Sequence, residues 1–375
     1  MGPVDHVGKK RRLVISAVNC VDGGILSILQ DCVSSVCREY GEDWDIVVLA
    51  NNRKLLPETT ATVLEFPKIK GSWIARLKHE WIHSLELSKQ LDVDVWLSLH
   101  DISANVRARR RVVYCHNPIP FYPFRLRDAI HNWKLTAFSL FYGRLYGVNI
   151  HSNDYVVVQQ DWLRREFMRR YDLSNVIVAH PEGALWPPAD RRASAGLVRD
   201  RKTRFCYPFV PLFFKNVEVI CDAARILREG KHENFEIILT MNGSETGYAN
   251  RMRRKYGDLT NINFVGRLSR EQVFELYRSS DCLVFASKLE TWGLPISEFK
   301  ATRRSMLIAD KPYARETVDD YPNVEYFDAS DAPQLAKLML QVMSGTFSPA
   351  ASTAVKVPEP YASNWSALWA MILRP

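Results

Sequence analysis

Residues 281–299 read DCLVFASKLETWGLPISEF. The run DCLVFAS is short, apolar and ends in small residues, which is typical of a buried parallel strand. Gly293 and Pro295 follow, and they favour a tight turn into a new helix, because glycine permits close approach and proline suits a helix start. The stretch therefore predicts a strand, a loop that carries Glu290, and a helix with Glu298 in its first turns.

The start of such a helix is a candidate anion site. Its first backbone N–H groups are free and lie at the positive end of the helix dipole, which suits a phosphate. A carboxylate repels phosphate, so Glu290 and Glu298 are better explained as acceptors of hydrogen bonds from sugar hydroxyls. A sugar nucleotide supplies hydroxyls and a diphosphate together, and we expect the diphosphate at residues 293–296.

Composition limits the class of protein. The chain has 375 residues, of which 47% are hydrophobic, enough for two globular domains. Its net charge of +8 and pI near 9.1 favour anionic partners, which include nucleotides, nucleic acid and acidic membranes. The seven cysteines are odd in number and scattered, so neither a disulfide framework nor a zinc site is expected. The absence of a signal-peptide profile and of a run of about 18 apolar residues favours a cytoplasmic protein that does not span a membrane.

Short apolar runs alternate with helical stretches along the chain, which is the pattern of open α/β sheets. The turn-rich, charged stretch 180–203 interrupts this alternation and is interpreted as a domain boundary. A last helix places Trp365, Leu368, Trp369 and Ile372 on one face, which must be buried. The predicted strands are 13–18, 45–51, 93–100, 111–116 and 155–159 before the boundary, and 204–210, 235–241, 262–268, 282–287 and 305–310 after it.

These elements predict an α/β fold of two Rossmann-like domains that face each other across a ligand-binding cleft. We expect an N-terminal domain at 1–190 and a C-terminal domain at 191–355. The last segment, 356–375, is expected to form a helix that packs back on the N-terminal domain.

Glu290, Gly293, Leu294, Pro295 and Glu298 resemble the E-x7-E motif, in its E-x-x-G-L-P form, of retaining family-4 glycosyltransferases with the GT-B fold. The preceding segment INFVGRLSREQVFELYRSS is similar to the one that leads into that motif. VVYCHNP and YVVVQQDWLRREF are similar to N-terminal segments of bacterial surface-polysaccharide members. The resemblance implies transfer of a hexose from a nucleotide-diphosphate sugar, with UDP or GDP as the nucleotide. The first domain would bind the acceptor and the second the donor.

The resemblance also implies roles for individual residues. Glu290 would contact the donor sugar, and Glu298 would hold the nucleotide ribose. A helix cap or a surface ion pair is the alternative for these acids. The donor site would be completed by Trp292, Gly293, Leu294 and Pro295.

Lys215 matches the lysine that meets the donor diphosphate in this family. Members usually have an arginine a few residues earlier, where this chain reads YPFV at 207–210. This departure leaves more of the charge neutralisation to Lys215 or moves it to Arg267, which lies next to Leu268 in the donor-site segment VGRLS. Solvated surface residues are the alternative.

Two pairs of residues follow predicted strands and include glycine. Gly23 and Gly24 open the first helix, where their backbone could approach a phosphate or the acceptor, or form an ordinary tight turn. Asn242 and Gly243 follow the strand 235–241, where they would shape the nucleotide pocket or form an ordinary turn. Both pairs are assigned to donor binding.

Polar side chains also follow two strands of the first domain. His116 comes at the end of RVVYCH, and family members place a histidine near there, close to the donor sugar. A satisfied core histidine is the alternative. His100 and Asp101 end another strand and are candidates for acceptor binding.

The implied chemistry places the barrier in the loss of the diphosphate. Lys215 and the helix-start amides would stabilise its growing negative charge, while His116 and Glu290 orient the sugar. No second protein nucleophile is evident, and in this family the departing phosphate is thought to take the acceptor proton. The resemblance implies neither a cofactor nor a metal, because GT-B members generally need no bound metal.

The acceptor implied by the resemblance is a growing polysaccharide or a lipid-linked oligosaccharide. Segments 68–81 and 121–147 mix cations with aromatic residues, which suits peripheral binding to an anionic membrane at its cytoplasmic face. An apolar core with a charged rim is the alternative. Other functions that remain open are a sugar-nucleotide epimerase, a glycoside hydrolase and a basic nucleic-acid-binding protein. The chain carries no recognised nucleic-acid module, so nucleic acid is not an expected partner.

Overall fold

The structure is a computed structural model that describes residues 10–123, 133–181, 202–349 and 352–374. The chain divides into two compact units, one from Met1–Glu182 with Val357–Pro375 and the other from Gly183–Lys356. We call these the first and the second domain. The predicted boundary stretch, 180–203, lies almost wholly outside the described residues.

The first domain is built on a parallel sheet, in which eight strands are described. They are β1 (Arg11–Ala17), β2 (Trp44–Ala50), β3 (Thr62–Glu65), β4 (Val93–Ser98), β5 (Ala108–Cys115), β6 (Tyr155–Val158), β7 (Val176–Ala179) and β14 (Tyr361–Ala362). Neighbours follow the order β14-β7-β6-β5-β4-β1-β2-β3. Every pairing is parallel.

Helices and apolar strands give the first domain its core. Its helices are α1 (Gly23–Tyr40), α2 (Trp73–Lys78), α3 (Ser84–Leu91), α4 (Trp133–Gly147), α5 (Asp161–Tyr171) and α12 (Trp365–Ile372), with a π-helical turn at His79–His83 between α2 and α3. Successive residues of β1, Leu13, Val14 and Ile15, are fully buried. A central parallel strand is covered on both faces, which explains why it reads as a continuous apolar run.

The C-terminal segment completes the first domain. Tyr361 and Ala362 pair with Val178 and Ala179 as an added edge strand. In α12, Trp365, Leu368, Trp369 and Ile372 are at most 2% exposed and join the core that includes α1. The predicted helical stripe is therefore buried on the first domain.

The second domain has its own parallel sheet. Its described strands are β8 (Thr203–Tyr207), β9 (Phe235–Leu239), β10 (Ile262–Phe264), β11 (Cys282–Phe285), β12 (Ser305–Ala309) and β13 (Val324–Phe327), in the order β10-β9-β8-β11-β12-β13. Its helices are α6 (Val217–Glu229), α7 (Gly247–Tyr256), α8 (Arg270–Ser279), α9 (Leu294–Lys300), α10 (Pro312–Val318) and α11 (Ala332–Ser344).

Both sheets share one topology. Counted from the first strand of each domain, six strands follow the order 3-2-1-4-5-6, which defines a Rossmann sheet. The order reverses between β1 and β4 in the first domain and between β8 and β11 in the second. Ligands of such sheets bind beyond the carboxyl ends of the strands at that reversal. The predicted class, two Rossmann-like α/β domains with a C-terminal helix packed on the first, is confirmed.

Several predicted strands extend past the observed ends, and the longest extension is at 262–268. The prediction for 262–268 extends past Phe264, where β10 ends. Gly266 has a φ of +79°, a left-handed conformation that turns the chain out of the sheet. Arg267 and Leu268 therefore lie in a loop.

Candidate active site

An ion pair marks the strand-order reversal of the second domain. Lys215 ends the 3₁₀ turn that follows β8, and Glu290 lies in the loop that follows β11. The Lys215 Nζ is 2.5 Å from the Glu290 Oε1, and both side chains are 14% exposed. Two predicted site residues from segments far apart in sequence are thus in direct contact.

Backbone contacts hold the two loops together. Asn216, next to Lys215, has a φ of +57° and its amide donates to the carbonyls of Ala286 and Ala329 at 3.2 and 2.8 Å. The Lys288 N–H donates to the Phe214 carbonyl at 2.7 Å. These bonds fix the backbone on either side of the ion pair.

Two buried tyrosines lie beneath the ion pair. The Tyr207 hydroxyl donates to the Lys215 carbonyl at 3.0 Å, and the Tyr313 hydroxyl donates to the Ser287 carbonyl at 2.7 Å. Burial raises the pKa of both hydroxyls, and the nearby Glu290 carboxylate raises it further. Both tyrosines therefore remain neutral donors at neutral pH.

The turn at Gly293 starts α9 as the sequence predicts. Gly293 has a φ of +91° and is the cap residue of a helix that begins with Leu294 and Pro295. Trp292 is 8% exposed; its indole N–H donates to Ser297 at 2.7 Å, and its carbonyl accepts from Thr317. The loop is thus anchored on both sides of the glycine.

Glu298 lies inside the domain, in the second turn of α9, and is 9% exposed. The Tyr277 hydroxyl donates to its Oε2 at 2.9 Å, and an Arg270 guanidinium nitrogen is 3.4 Å from its Oε1. Burial raises the pKa of the Glu298 carboxyl, while Tyr277 and Arg270 act to lower it. Glu298 is therefore held by two residues of α8, Arg270 and Tyr277. Glu290 is held by Lys215.

The loops after β9 and β10 meet each other. Asn242 accepts from the backbone and hydroxyl of Ser244 at 2.9 and 2.7 Å, while the N–H groups of Asn242 and Gly243 donate to the Glu245 carboxylate. A Cβ at Gly266 would lie 3.1 Å from the Asn242 amide. This is a compact turn, with Arg267 exposed beside it and Leu268 half-buried.

A cavity of about 590 Å³ lies at the strand-order reversal of the first domain. We call it the first-domain cavity. It holds three of the predicted site residues, His100, Asp101 and His116. Its other lining residues are Asn19, Cys20, Ile25, Lys70, Gly71, Ser72, Trp73, Arg76, Leu99, Asn117, Pro118, Ile119, Phe138 and Tyr142.

Asp101 organises the wall of this cavity. Its φ is +75°, and its Oδ1 accepts from the N–H groups of His116 and Asn117 and from the Tyr146 hydroxyl at 2.5, 3.1 and 3.0 Å. Its Oδ2 accepts from the Tyr142 hydroxyl at 2.9 Å. Four donors from the protein therefore surround this carboxylate.

His116 and His100 are both buried in the wall. The Nε2 of His116 is 3.1 Å from the Leu99 carbonyl, and burial lowers the pKa of this ring against the opposing effect of Asp101. The Nε2 of His100 is 3.1 Å from both the Glu80 Oε1 and the Ser16 hydroxyl. Glu80 is fully buried, so it orients the His100 ring.

Gly23 and Gly24 lie in the first turn of α1, just beyond the cavity residues Asn19 and Cys20. Gly23 has a φ of +61°, and a Cβ there would meet no atom within 4 Å. Its backbone conformation, rather than crowding, therefore explains the glycine.

Sequence reasoning missed Glu80 and Arg76 as site residues. The segment HEWIH at 79–83 has the spacing of a zinc-binding helix, but it forms a π-helical turn in which His79 is fully buried and His83 is exposed. Across the described ranges, no group of three or more His, Cys, Asp or Glu residues is placed to hold a metal ion. The motif instead supplies Glu80 to His100.

Comparison with known proteins gives a family match over part of the chain and a similar fold over most of it. Residues 201–354 match the family model described as "Glycosyl transferases group 1". No curated protein matches the chain. The fold is similar to three solved structures at 13–15% identity: the lipopolysaccharide outer core galactosyltransferase WaaB (TM-score 0.59, 15% identity, covering 91% of this chain and 92% of that one), WaaG, a glycosyltransferase involved in lipopolysaccharide biosynthesis (0.63, 13%, 88% and 90%), and Anabaena HepE in complex with UDP and glucose (0.58, 13%, 90% and 91%).

These likenesses agree with the topology of the two sheets. The chain has the GT-B fold, and the family match lies in the domain that carries Lys215, Glu290 and Glu298. Together these findings support a glycosyltransferase of the GT-B type.

Proposed function

We propose that this protein is a retaining hexosyltransferase of family 4, which uses a UDP- or GDP-sugar as donor and a hydroxyl of a polysaccharide or lipid-linked oligosaccharide as acceptor. The observation that carries the proposal is the Lys215–Glu290 pair at the strand-order reversal of the domain that matches the family model. One group suits a diphosphate and the other suits sugar hydroxyls.

The pair suggests how the donor is bound. Lys215 and Glu290 neutralise each other in the structure. A bound nucleotide sugar replaces this contact: its diphosphate accepts from Lys215, and a sugar hydroxyl donates to Glu290. Lys215 then stands where negative charge grows as the glycosidic bond to the phosphate breaks, which is the step that most needs stabilisation.

Other residues are assigned supporting roles. Glu298 accepts from the ribose hydroxyls, and Arg267 adds positive charge near the diphosphate. His116 contacts the donor sugar, and His100 and Asp101 contribute to acceptor binding. The departing phosphate takes the acceptor proton on the face that it leaves, so no protein base is assigned. No cofactor or metal is assigned a role.

The acceptor and the cellular location belong to the same proposal. The first domain exposes a patch of apolar side chains on α2 and α4, which includes Trp73, Ile74, Leu140 and Phe141. Trp73 and Phe141 contact each other edge to face at 5.8 Å. No helix in the described ranges is long and apolar enough to cross a membrane. We place the protein in the cytoplasm and assign the apolar patch to peripheral attachment to an anionic membrane, where a lipid-linked acceptor would lie.

A thermal-shift panel without added metal tests the donor assignment. UDP-, GDP- and ADP-hexoses are compared on the wild type, Lys215→Met and Glu298→Ala. We expect one nucleotide class to raise the melting temperature and both variants to lose most of that rise. The UDP complex of HepE makes UDP-hexoses the first choice. If no nucleotide sugar stabilises the wild type, the proposal is wrong.

Product analysis separates the transferase from the enzymes that share its substrates. Incubation of the donor with candidate acceptor glycans and NMR of the product should show a new glycosidic bond with the anomeric configuration of the donor. An epimerised nucleotide sugar, or free sugar alone, would favour the epimerase or the hydrolase instead.

A further inference from the structure

Arg76 is held rigidly in the wall of the first-domain cavity. Its guanidinium donates to the His100 carbonyl at 2.7 Å and to the Tyr142 hydroxyl, and it lies against the Trp73 ring at 5.0 Å. The Asn19 amide, oriented with its oxygen toward Arg76, also accepts from it. Four groups therefore fix one cation in one place.

All of these partners are neutral. In the ranges that the structure describes, no carboxylate oxygen lies within 4 Å of the Arg76 guanidinium. The nearest wall carboxylate, Asp101, is separated from Arg76 by the Tyr142 hydroxyl, which donates to Asp101 and accepts from Arg76. A half-buried arginine without a paired carboxylate retains its attraction for an external anion.

The surroundings of Arg76 suit a sugar that carries such an anion. Trp73 is 41% exposed beside the guanidinium, and the apolar face of a sugar packs well on an indole ring. Lys70 adds a second cation to the wall; its partner Asp22 is 3.5 Å away and 63% exposed, so an incoming anion can compete for this lysine. The cavity volume of about 590 Å³ is enough for a saccharide unit.

We propose that the first-domain cavity binds an acceptor saccharide with an anionic substituent, a phosphate or a carboxylate, and that Arg76 recognises this group through its planar guanidinium. Only the role of this saccharide as the acceptor rests on the proposed function. The binding site itself is defined by residues of the first domain.

Three probe sugars test the proposal on the full chain: glucose 6-phosphate, glucuronate and glucose. Calorimetry or saturation-transfer NMR measures their dissociation constants for the wild type, Arg76→Gln and Arg109→Gln. Arg109 is the matched control, because it is 76% exposed at the start of β5, the end of the sheet opposite the cavity. We expect the wild type and Arg109→Gln to bind at least one anionic sugar about tenfold more tightly than glucose, and Arg76→Gln to lose this preference.

The outcomes are distinct. Preference for glucose 6-phosphate alone identifies a phosphate, and preference for glucuronate alone identifies a carboxylate; either supports the proposal. Equal binding of all three sugars, no binding of any, or an unchanged preference in Arg76→Gln overturns it. If Arg76→Gln fails to fold, two other measurements replace it. Arg76→Lys, which lacks the planar guanidinium, should show a weaker preference for the anionic sugars. Wild-type binding of the anionic sugars should weaken as the salt concentration rises.

Nucleotide-sugar binding is measured on the same samples, because Lys215, Glu290 and Glu298, which carry the donor assignment, lie in the second domain. Donor binding without an anion preference overturns this inference alone. An anion preference without donor binding overturns the proposed function and leaves the anion site standing.

Discussion

Glu298 illustrates how a residue assigned to ligand binding can be costly to the fold. Its carboxyl is buried in the second domain, and burial raises its pKa despite the Tyr277 and Arg270 contacts. The folded state therefore holds a proton on Glu298 more tightly than the unfolded chain does, where the value is about 4.3. Above its folded pKa, ionised Glu298 therefore lowers the free energy of unfolding.

We expect Glu298→Gln to separate binding from stability. At pH 7 its melting temperature should equal or exceed that of the wild type, because the variant carries no buried charge. The difference should narrow as the pH falls toward about 4, where the wild-type carboxyl is protonated. Donor affinity at pH 7 should fall about tenfold with loss of the charge-assisted bond to the ribose. Thermal melts across pH and donor titrations measure both; a large loss of stability at pH 7 would contradict the argument.

His79 is a second buried residue with a pH signature. It is fully buried, its ring lies 4.7 Å from Phe66, and burial lowers its pKa although Glu80 acts to raise it. Since the unfolded chain takes up this proton more readily, stability is lost as the pH falls below about 6.5. His79→Phe should raise the free energy of unfolding by about 1 kcal/mol at pH 7 and flatten this acid loss.

Urea titrations of His79→Phe between pH 5 and 7 provide the measurement. An acid limb of unchanged slope in His79→Phe would show that another group causes it.

The candidate site was predictable from sequence only where its residues lie together in one short motif. The loop and helix at 290–298 were predictable because glycine and proline punctuate a short stretch. Lys215 came from resemblance, and its contact with Glu290 required the fold. Arg76 and Glu80 were not predicted because their partners lie in other segments of the chain. Arg76 contacts His100 and Asn19, and Glu80 contacts His100, and no local sequence pattern links these residues.

The start of α9 depends on one backbone conformation. Gly293 has a φ of +91°, and a Cβ there would lie 3.2 Å from the Ile296 Cδ1. Gly293→Ala should destabilise the second domain by about 1–2 kcal/mol and weaken donor binding, because the loop with Glu290 shifts. Gly247→Ala is the matched control, since this glycine opens α7 with no left-handed φ and open space around its Cβ. Urea midpoints compare the two; equal stability of both variants would contradict the prediction.

The apolar patch on α2 and α4 makes a separate prediction. Ile74 is 68% exposed. Ile74→Glu should reduce binding to vesicles that contain anionic lipid about tenfold or more, because the glutamate would have to enter the membrane interface and is repelled by the anionic lipid. Val210→Glu, at a second-domain position that is 64% exposed, controls for the added charge. Vesicle sedimentation measures binding; equal losses in both variants would mean that only net charge matters.

Strand prediction failed at the sheet edges for physical reasons. The strands that were not predicted include β3 and β13, which form edges of their sheets. No residue of β3 is fully buried, and the two central residues of β13 are only partly buried, so their apolar pattern is diluted. β14 has only two residues, too few for any period. β7 is fully buried, but its four residues are near the limit of recognition. The central strands, being covered on both faces, were recognisable.

The first domain is assembled from two separated segments of the chain. Trp369 of α12 is fully buried in its core, and Trp369→Ala should cost about 3–5 kcal/mol. The loss should be confined to the first domain. Hydrogen exchange followed by mass spectrometry should show faster exchange in β1–β7 and unchanged exchange in β8–β13. Equal acceleration in both domains would show that they unfold as one unit.

This arrangement also has a consequence for synthesis. During translation β1–β7 leave the ribosome first, but their sheet lacks its edge strand β14 and its core lacks α12 until the second domain has been made. The second domain is continuous in the chain, so it can finish folding while the older segment still waits with exposed apolar surface. The part of the protein that is made first is therefore completed last, and it is the part most in need of chaperone protection.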